Sequence, residues 1–336
     1  MSTLPLGLPA LGALSLAGAQ AIQNAVATAG LGTTGNVYYL DPVNGQDGNL
    51  GNVPSSAVQT LAAGYALLTS GNNDVLVLVG NGASTASARV TSFTWAKSAC
   101  HLIGICAPSA ISQRARIANP TTSGLTMTAN FFTVSGSGCL FQNISWFVGA
   151  GAGQTGIAAS ICLTVTGSRN AFVNCDIEGM GDSTSATSST SRNILITGGG
   201  ENLFAHCNIG LDTVVRTNAN ASVELKAGTP RNSFENCTFL MWSSDGLQYF
   251  LYGAAAGCLD RWVLFKGCNF INSTKSASGT ACALAFVLAA SAGGLIAFDS
   301  TSGLYGVTAI GDATTKALTY VSGGTATNGV KGVIAT

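Results

Sequence analysis

The acidic side chains best spaced to act together are Asp176 and Glu178, with Asp182 just beyond. On a strand, alternate residues share a face, so the first two would project together with backbones about 6.5–7 Å apart. From that separation two carboxyls can reach the spacing of a glycoside-cleaving acid–base pair. A solvated strand face beside the Ser/Thr-rich stretch 183–191 explains the same residues without chemistry, and that is the expectation. No catalytic residue is therefore assigned; Asp176, Glu178 and Asp182 are the candidates if the chain is an enzyme, and Asp212 and Asp245 would extend an acidic groove into later repeats. His101 leads an apolar run and His206 falls in a turn, so both histidines read as structural. Asp41, Asn44 and Asp47 offer oxygens to a calcium ion, but Asp-Gly-Asn is also ordinary turn chemistry. No metal or cofactor is expected. The glycine runs 149–153 and 198–200 lack the strand, lysine and helix of a phosphate loop, and the ten cysteines contain no CxxC pair of the zinc or redox kind.

Charged residues make up only 8% of the 336, and 14 basic side chains balance 14 acidic ones, which argues against nucleic acid or an anionic membrane as partner. With a mean hydropathy of +0.38, the surface must be kept wet by Ser, Thr, Asn and backbone, or be covered by other subunits; covering is the expectation. The 43 glycines and the spread of Ser, Thr, Val and Ile favour short strands and tight turns over long helices. No run reaches the roughly 18 apolar residues of a membrane span.

These elements repeat. Leu140-Phe-Gln-Asn-Ile-Ser-Trp146, Ala171-Phe-Val-Asn-Cys-Asp-Ile177, Leu203-Phe-Ala-His-Cys-Asn-Ile209, Ser233-Phe-Glu-Asn-Cys-Thr-Phe239 and Leu264-Phe-Lys-Gly-Cys-Asn-Phe270 align without gaps. Their phenylalanines, Phe141, Phe172, Phe204, Phe234 and Phe265, are 31, 32, 30 and 31 residues apart, the regularity of a solenoid coil. Phe and the Cys three residues later can both point inward only if the chain turns between them. The turn column is Asn143, Asn174, His206, Asn236 and Gly267, a set rich in residues that tolerate a left-handed backbone. Phe would then stack on Phe, and Cys175, Cys207, Cys237 and Cys268 on one another, about 4.8 Å apart. The cysteines read as small core residues in place of metal ligands or disulfides.

The pattern predicts an all-β, single-stranded right-handed parallel β-helix over 36–310, with three strands per coil of about 31 residues and about eight to ten coils. A helix within 55–69, N-capped by Ser55 or Ser56 and carrying Val58, Leu61, Ala62 and Tyr65 on one face, would close its first end. Residues 1–35 form an apolar arm with Leu4, Leu6, Leu8, Leu11, Leu14 and Leu16, expected to dock or to add capping. The Gly/Thr/Ala-rich segment 311–336 is a last coil, an exchanged strand or a contact arm.

The run Val37-Tyr-Tyr-Leu-Asp-Pro-Val-Asn-Gly-Gln-Asp-Gly-Asn-Leu-Gly51, then Thr60-Leu-Ala-Ala-Gly64, Asp74-Val-Leu-Val-Leu-Val79 and the Phe-x-Asn-Cys-x-Ile coils, resembles the pectin-lyase-like β-helix family. The likeness implies the fold; the architecture itself carries lyases, hydrolases, adhesins and phage tailspikes alike. Neither the hydrolase set of clustered acids with His and an Arg-Lys motif nor the lyase set of acidic calcium ligands with a basic proton acceptor can be matched residue by residue. Short length, scarce charge and the apolar arm are most similar to bacteriophage virion proteins. That resemblance implies a non-enzymatic capsid decoration protein or short head spike, assembled in the host cytoplasm. It would be a homo-oligomer, a trimer for preference, docked on a major capsid protein or another virion protein. The alternatives are a tailspike-like carbohydrate-binding or polysaccharide-degrading enzyme, with a glycan as partner, and a secreted adhesin processed near Ala19.

Overall fold

The computed structural model describes residues 34–80, 87–106, 115–253, 255–273, 279–289 and 291–321. The six leucines of the proposed docking arm lie outside them. Parallel strands form three long sheets, here called A (ten strands), B (eight) and C (seven). The chain passes from C to A to B and back to C, so neighbours within a sheet come from successive coils.

Among the described residues, seven coils place a strand in every sheet. The first comprises Phe93–Trp95, Cys100–Ile105 and Ala115–Ala118; the last comprises Phe286–Leu288, Leu295–Phe298 and Gly303–Tyr305. Partial coils at both ends supply the remaining strands of A, including Val37–Leu40 and Thr319–Val321, which is why complete coils are fewer than anticipated. Thr319–Val321 pairs in parallel with Leu295–Phe298, so the C-terminal segment as far as 321 continues the solenoid.

The bend between A and B is made as its residue types predict. Backbone φ is +56°, +52°, +55°, +52° and +62° at Asn143, Asn174, His206, Asn236 and Gly267. At Gly267 glycine is also required by contact, since a Cβ would sit 2.3 Å from Asn236 Oδ1. The bend puts Phe and Cys on one interior. Phe172 stacks on Phe204 at 4.6 Å and Phe204 on Phe234 at 4.7 Å, with ring planes within 9°. Each buried thiol donates to the Phe carbonyl one coil back: Cys207 Sγ to Phe172 O (3.2 Å), Cys237 to Phe204 O (3.3 Å) and Cys268 to Phe234 O (3.2 Å). All ten cysteines are free, and the column serves as core.

A second ladder lies at the bend from C to A, where Asn170, Asn202 and Asn232 are buried. Asn202 Oδ1 accepts from Asn170 N (3.0 Å), and Asn232 Oδ1 accepts from Asn202 N (3.0 Å). Their Nδ2 groups donate back to Gly136, Gly167 and Gly199 carbonyls. Each buried side chain satisfies backbone groups of two coils, and so ties them together.

The first end is closed by a helix shorter than expected, Leu61–Leu67. Its N-cap is Thr60, whose Oγ1 accepts from Ala63 N; Ser55 and Ser56 belong to a separate 3-10 turn that Pro54 starts. This shifts the buried face to Leu61 and Gly64, flanked by buried Val58 and Leu68, and leaves Ala62 exposed. Lys97 Nζ donates to the carbonyls of Tyr65 (2.7 Å) and Leu68 (2.6 Å), satisfying the helix C-terminus with a cation.

Candidate functional site

The acidic candidates do not form a groove. Asp176 and Glu178 do share the outer face of strand Asp176–Glu178 in sheet B, yet they are 0% and 1% exposed, not solvated. Arg116 Nη2 donates to Glu178 Oε2 (3.1 Å) while its guanidinium lies 4.5 Å from the centre of the Phe147 ring. Asp176 Oδ1 accepts from Asn208 Nδ2 (2.9 Å). Asp182 caps the short helix Ser183–Ala186: Oδ1 accepts from Thr184 N and Ser185 N, and Oδ2 from Ser185 Oγ and Ala150 N. Asp245 accepts from the N–H groups of Asn218 and Leu247 and from Gln248 Nε2, closing a turn. Asp212 is half-buried in the loop after Ile209. Asp41 and Asp47 are likewise engaged within their loop, the first by Val43 and Asn44, the second by Gln59 and Thr60. His101 Nδ1 accepts from Leu140 N (3.0 Å), and burial lowers its pKa, consistent with a neutral structural imidazole.

The open chemistry lies on the outer face of sheet C. Alternation turns part of each strand outward, and the in-register stacking lines up Thr94, Thr133, Thr164, Leu195, Glu224 and Tyr252 along the rod. A parallel column holds Arg192, Ala221 and Tyr249. Loops 148–160, 179–191 and 210–220 border this face on its B side, and the shorter connections 198–202 and 227–231 border it on the A side.

Arg192 is the fixed point. Its Nη1 donates to the carbonyls of Ser189 (2.9 Å) and Ser191 (2.7 Å), and its Nε to Glu224 Oε2 (2.8 Å). Its guanidinium packs 5.1 Å from the centre of the Tyr252 ring, which stacks on Tyr249 at 5.7 Å with planes 9° apart. The Arg192 side chain is 5% exposed and that of Glu224 is 20% exposed, so the carboxylate is oriented while water still reaches it. Burial raises the Tyr249 pKa, with Tyr252 and Asp312 adding to the effect, which keeps the phenol neutral. Exposed Lys226 follows Glu224 by two residues on the same strand. Flat aromatic surface beside an oriented carboxylate, with Leu195 next in the column and Thr133 and Thr94 farther along it, suits the apolar C–H face and hydroxyl rim of a sugar.

These residues are separate in sequence. Glu224 lies inside strand Ala221–Lys226 and Arg192 opens strand Arg192–Thr197; coil register alone makes them neighbours. The one available signal was a charged residue at an outward position of an otherwise apolar strand.

No protein-family profile matches the chain, and no curated protein matches it in sequence. Solved structures do match in shape. A pectate lyase superposes with a TM-score of 0.60 at 14% identity, covering 86% of this chain and 68% of that one. A rhamnogalacturonan lyase gives 0.53 at 15%, covering 85% and 72%, and a variant pectin methylesterase in complex with a hexasaccharide gives 0.52 at 13%, covering 89% and 93%. These neighbours, two lyases and an esterase, overturn the expectation of a non-enzymatic virion protein. In architecture, the chain is a right-handed parallel β-helix, the fold it has in common with the pectate lyase it superposes on.

Proposed function

We propose that this protein is a polysaccharide-active enzyme that takes a glycan chain along the outer face of sheet C. The observation that carries the reading is the Arg192–Glu224 ion pair set against the stacked rings of Tyr249 and Tyr252 on the outer face of sheet C. Tyr252 and Tyr249 supply the stacking platform for a sugar ring. Arg192 fixes Glu224 Oε2, which leaves Oε1 as the group placed to move a proton at the bond being broken. Likeness of fold to enzymes whose names refer to pectate, rhamnogalacturonan and pectin supports plant cell-wall polysaccharides as the first substrates to try.

The test is a panel of pectate, methyl-esterified pectin and rhamnogalacturonan, followed by reducing ends, unsaturated-product absorbance and methanol release. Glu224→Gln should lower turnover about 10²–10⁴-fold, the usual range for a lost proton-transfer group, while glycan binding persists. Tyr252→Ala should weaken binding about tenfold, in line with loss of one aromatic contact. Glu178→Gln, in the closed cluster of sheet B, should leave turnover intact. Absence of binding and product with every polysaccharide, or unchanged turnover in Glu224→Gln, would sink the proposal.

A further inference from the structure

Arg216 carries a charge that the chain does not balance. It belongs to loop 210–220, where sheet B passes into sheet C, and it is only 2% exposed. Nε donates to Asn220 Oδ1 (2.8 Å) and Nη1 to Ser222 Oγ (3.3 Å), both neutral acceptors, and Nη2 has no partner. All 14 acidic side chains of the protein fall within the described residues, and none of them forms an ion pair with Arg216. Glu224 is taken by Arg192, and Asp245 by the turn it closes. Burial pushes the Arg216 pKa down to about 9, so the guanidinium is still protonated at neutral pH. Neighbouring Cys282 cannot supply the negative charge, because burial pushes its thiol up to about 11. A buried cation without a counter-ion is among the least favourable arrangements in a protein interior.

A second unsatisfied donor lies one coil away. Asn193 is 0% exposed; its Oδ1 accepts from Gly179 N (3.1 Å), whereas Nδ2 has no partner. Arg192 pairs with Ala221 and Ile194 with Val223, so Asn193 stacks on Ser222, the residue that Arg216 holds. Gly210 keeps the flank of the amide clear, since a Cβ there would come within 2.9 Å of Asn193 Nδ2. Both unsatisfied groups are N–H donors, and Ser222, whose oxygen already accepts from Arg216, has a hydroxyl proton to add. A water molecule would accept from them and leave the charge unbalanced; an anion answers donors and charge together.

We propose that a single halide ion, chloride in ordinary salt, binds between Arg216 Nη2, Asn193 Nδ2 and the Ser222 hydroxyl. One negative charge balances one guanidinium, and a spherical ion with no donor of its own suits a site made only of donors. The ion fastens loop 210–220 to strands Arg192–Thr197 and Ala221–Lys226, and it stands or falls apart from the glycan reading.

The full-length protein is refolded in sodium gluconate, and urea unfolding is followed at constant ionic strength while chloride replaces gluconate. Above the dissociation constant, each tenfold of chloride should raise the folding equilibrium constant about tenfold, the mark of one ion held only by the folded state. Arg216→Met should unfold at the same midpoint in either salt. A wild-type midpoint that is the same in both salts, or a chloride effect as large in Arg216→Met, overturns the proposal. Crystals of wild-type protein refolded in bromide give a reading that needs no variant: an anomalous peak within hydrogen-bonding distance of Arg216 Nη2 is expected, and a site holding only water, or nothing, overturns it.

Discussion

Removing the carboxylate of the Arg192–Glu224 pair should harm the protein more than removing the guanidinium, although the carboxylate is the smaller group. In Glu224→Ala, Arg192 is left with a side chain only 5% exposed. Two serine carbonyls still accept from Nη1, but the charge has lost its counter-ion in a place that water barely enters. Breaking a buried pair in this way costs about 3–5 kcal/mol, and the surviving carbonyl bonds place the expected loss near about 3. In Arg192→Met, the carboxylate left behind is 20% exposed and can recover water, while the methionine stem still covers Tyr252. With solvent screening the ion pair itself is then worth about 1 kcal/mol, and the stranded Ser189 carbonyl adds about 1 more, giving about 2. The assay is urea unfolding followed by tryptophan fluorescence, read as midpoints at matched slopes. Local hydrogen exchange at strands Arg192–Thr197 and Ala221–Lys226 would confirm that the loss is centred there, since solenoids lose structure coil by coil. The reasoning is refuted if Arg192→Met destabilises as much as Glu224→Ala or more.

Asn202→Ala removes the acceptor of Asn170 N and a donor to the Gly167 carbonyl inside a closed bend, so a loss of about 2–5 kcal/mol in thermal or urea unfolding is expected. Asn202→Asp keeps the acceptor but buries a carboxyl facing oxygens, which raises its folded-state pKa above the unfolded value of about 3.9. Its stability should therefore be highest below pH 4 and fall as pH rises through the folded pKa; a flat pH profile relative to Asn202→Ala contradicts this. Burial pushes the Cys100 and Cys282 thiols up to about 11, so at pH 8 about one in 1,000 is thiolate, against about a quarter for a free cysteine. Alkylation of the folded protein, followed by peptide mass mapping, should thus modify the half-buried Cys106 first and leave the Cys100 and Cys282 thiols until urea is added.

The interior of this protein is written along its chain. The 31-residue period, the Phe and Cys columns and the left-handed bend from Asn143 to Gly267 follow from side-chain size and backbone tolerance, both properties of single residues. They are legible because a parallel coil repeats one local environment, so each inward position meets its own kind. The Asn170, Asn202 and Asn232 ladder carried the same sort of signal, two residues before each phenylalanine, and was open to the same reading. The cap was legible in kind but not in detail: Thr60 competes with Ser55 and Ser56, and Pro54 decides by turning the chain before the helix begins.

Outward residues are another matter. Whether Asp176 and Glu178 meet water depends on what lies over sheet B, and Arg116, some 60 residues earlier, takes up one of them. Glu224 finds Arg192 across one coil and Tyr252 across the next because pairing register sets which outward side chains become neighbours. Sequence by itself determined the coil, its period and its core, since those obey a one-residue rule of inward or outward. The site was decided only by the tertiary structure, because the loops that differ in length between coils fix which parts of the outer surface stay open.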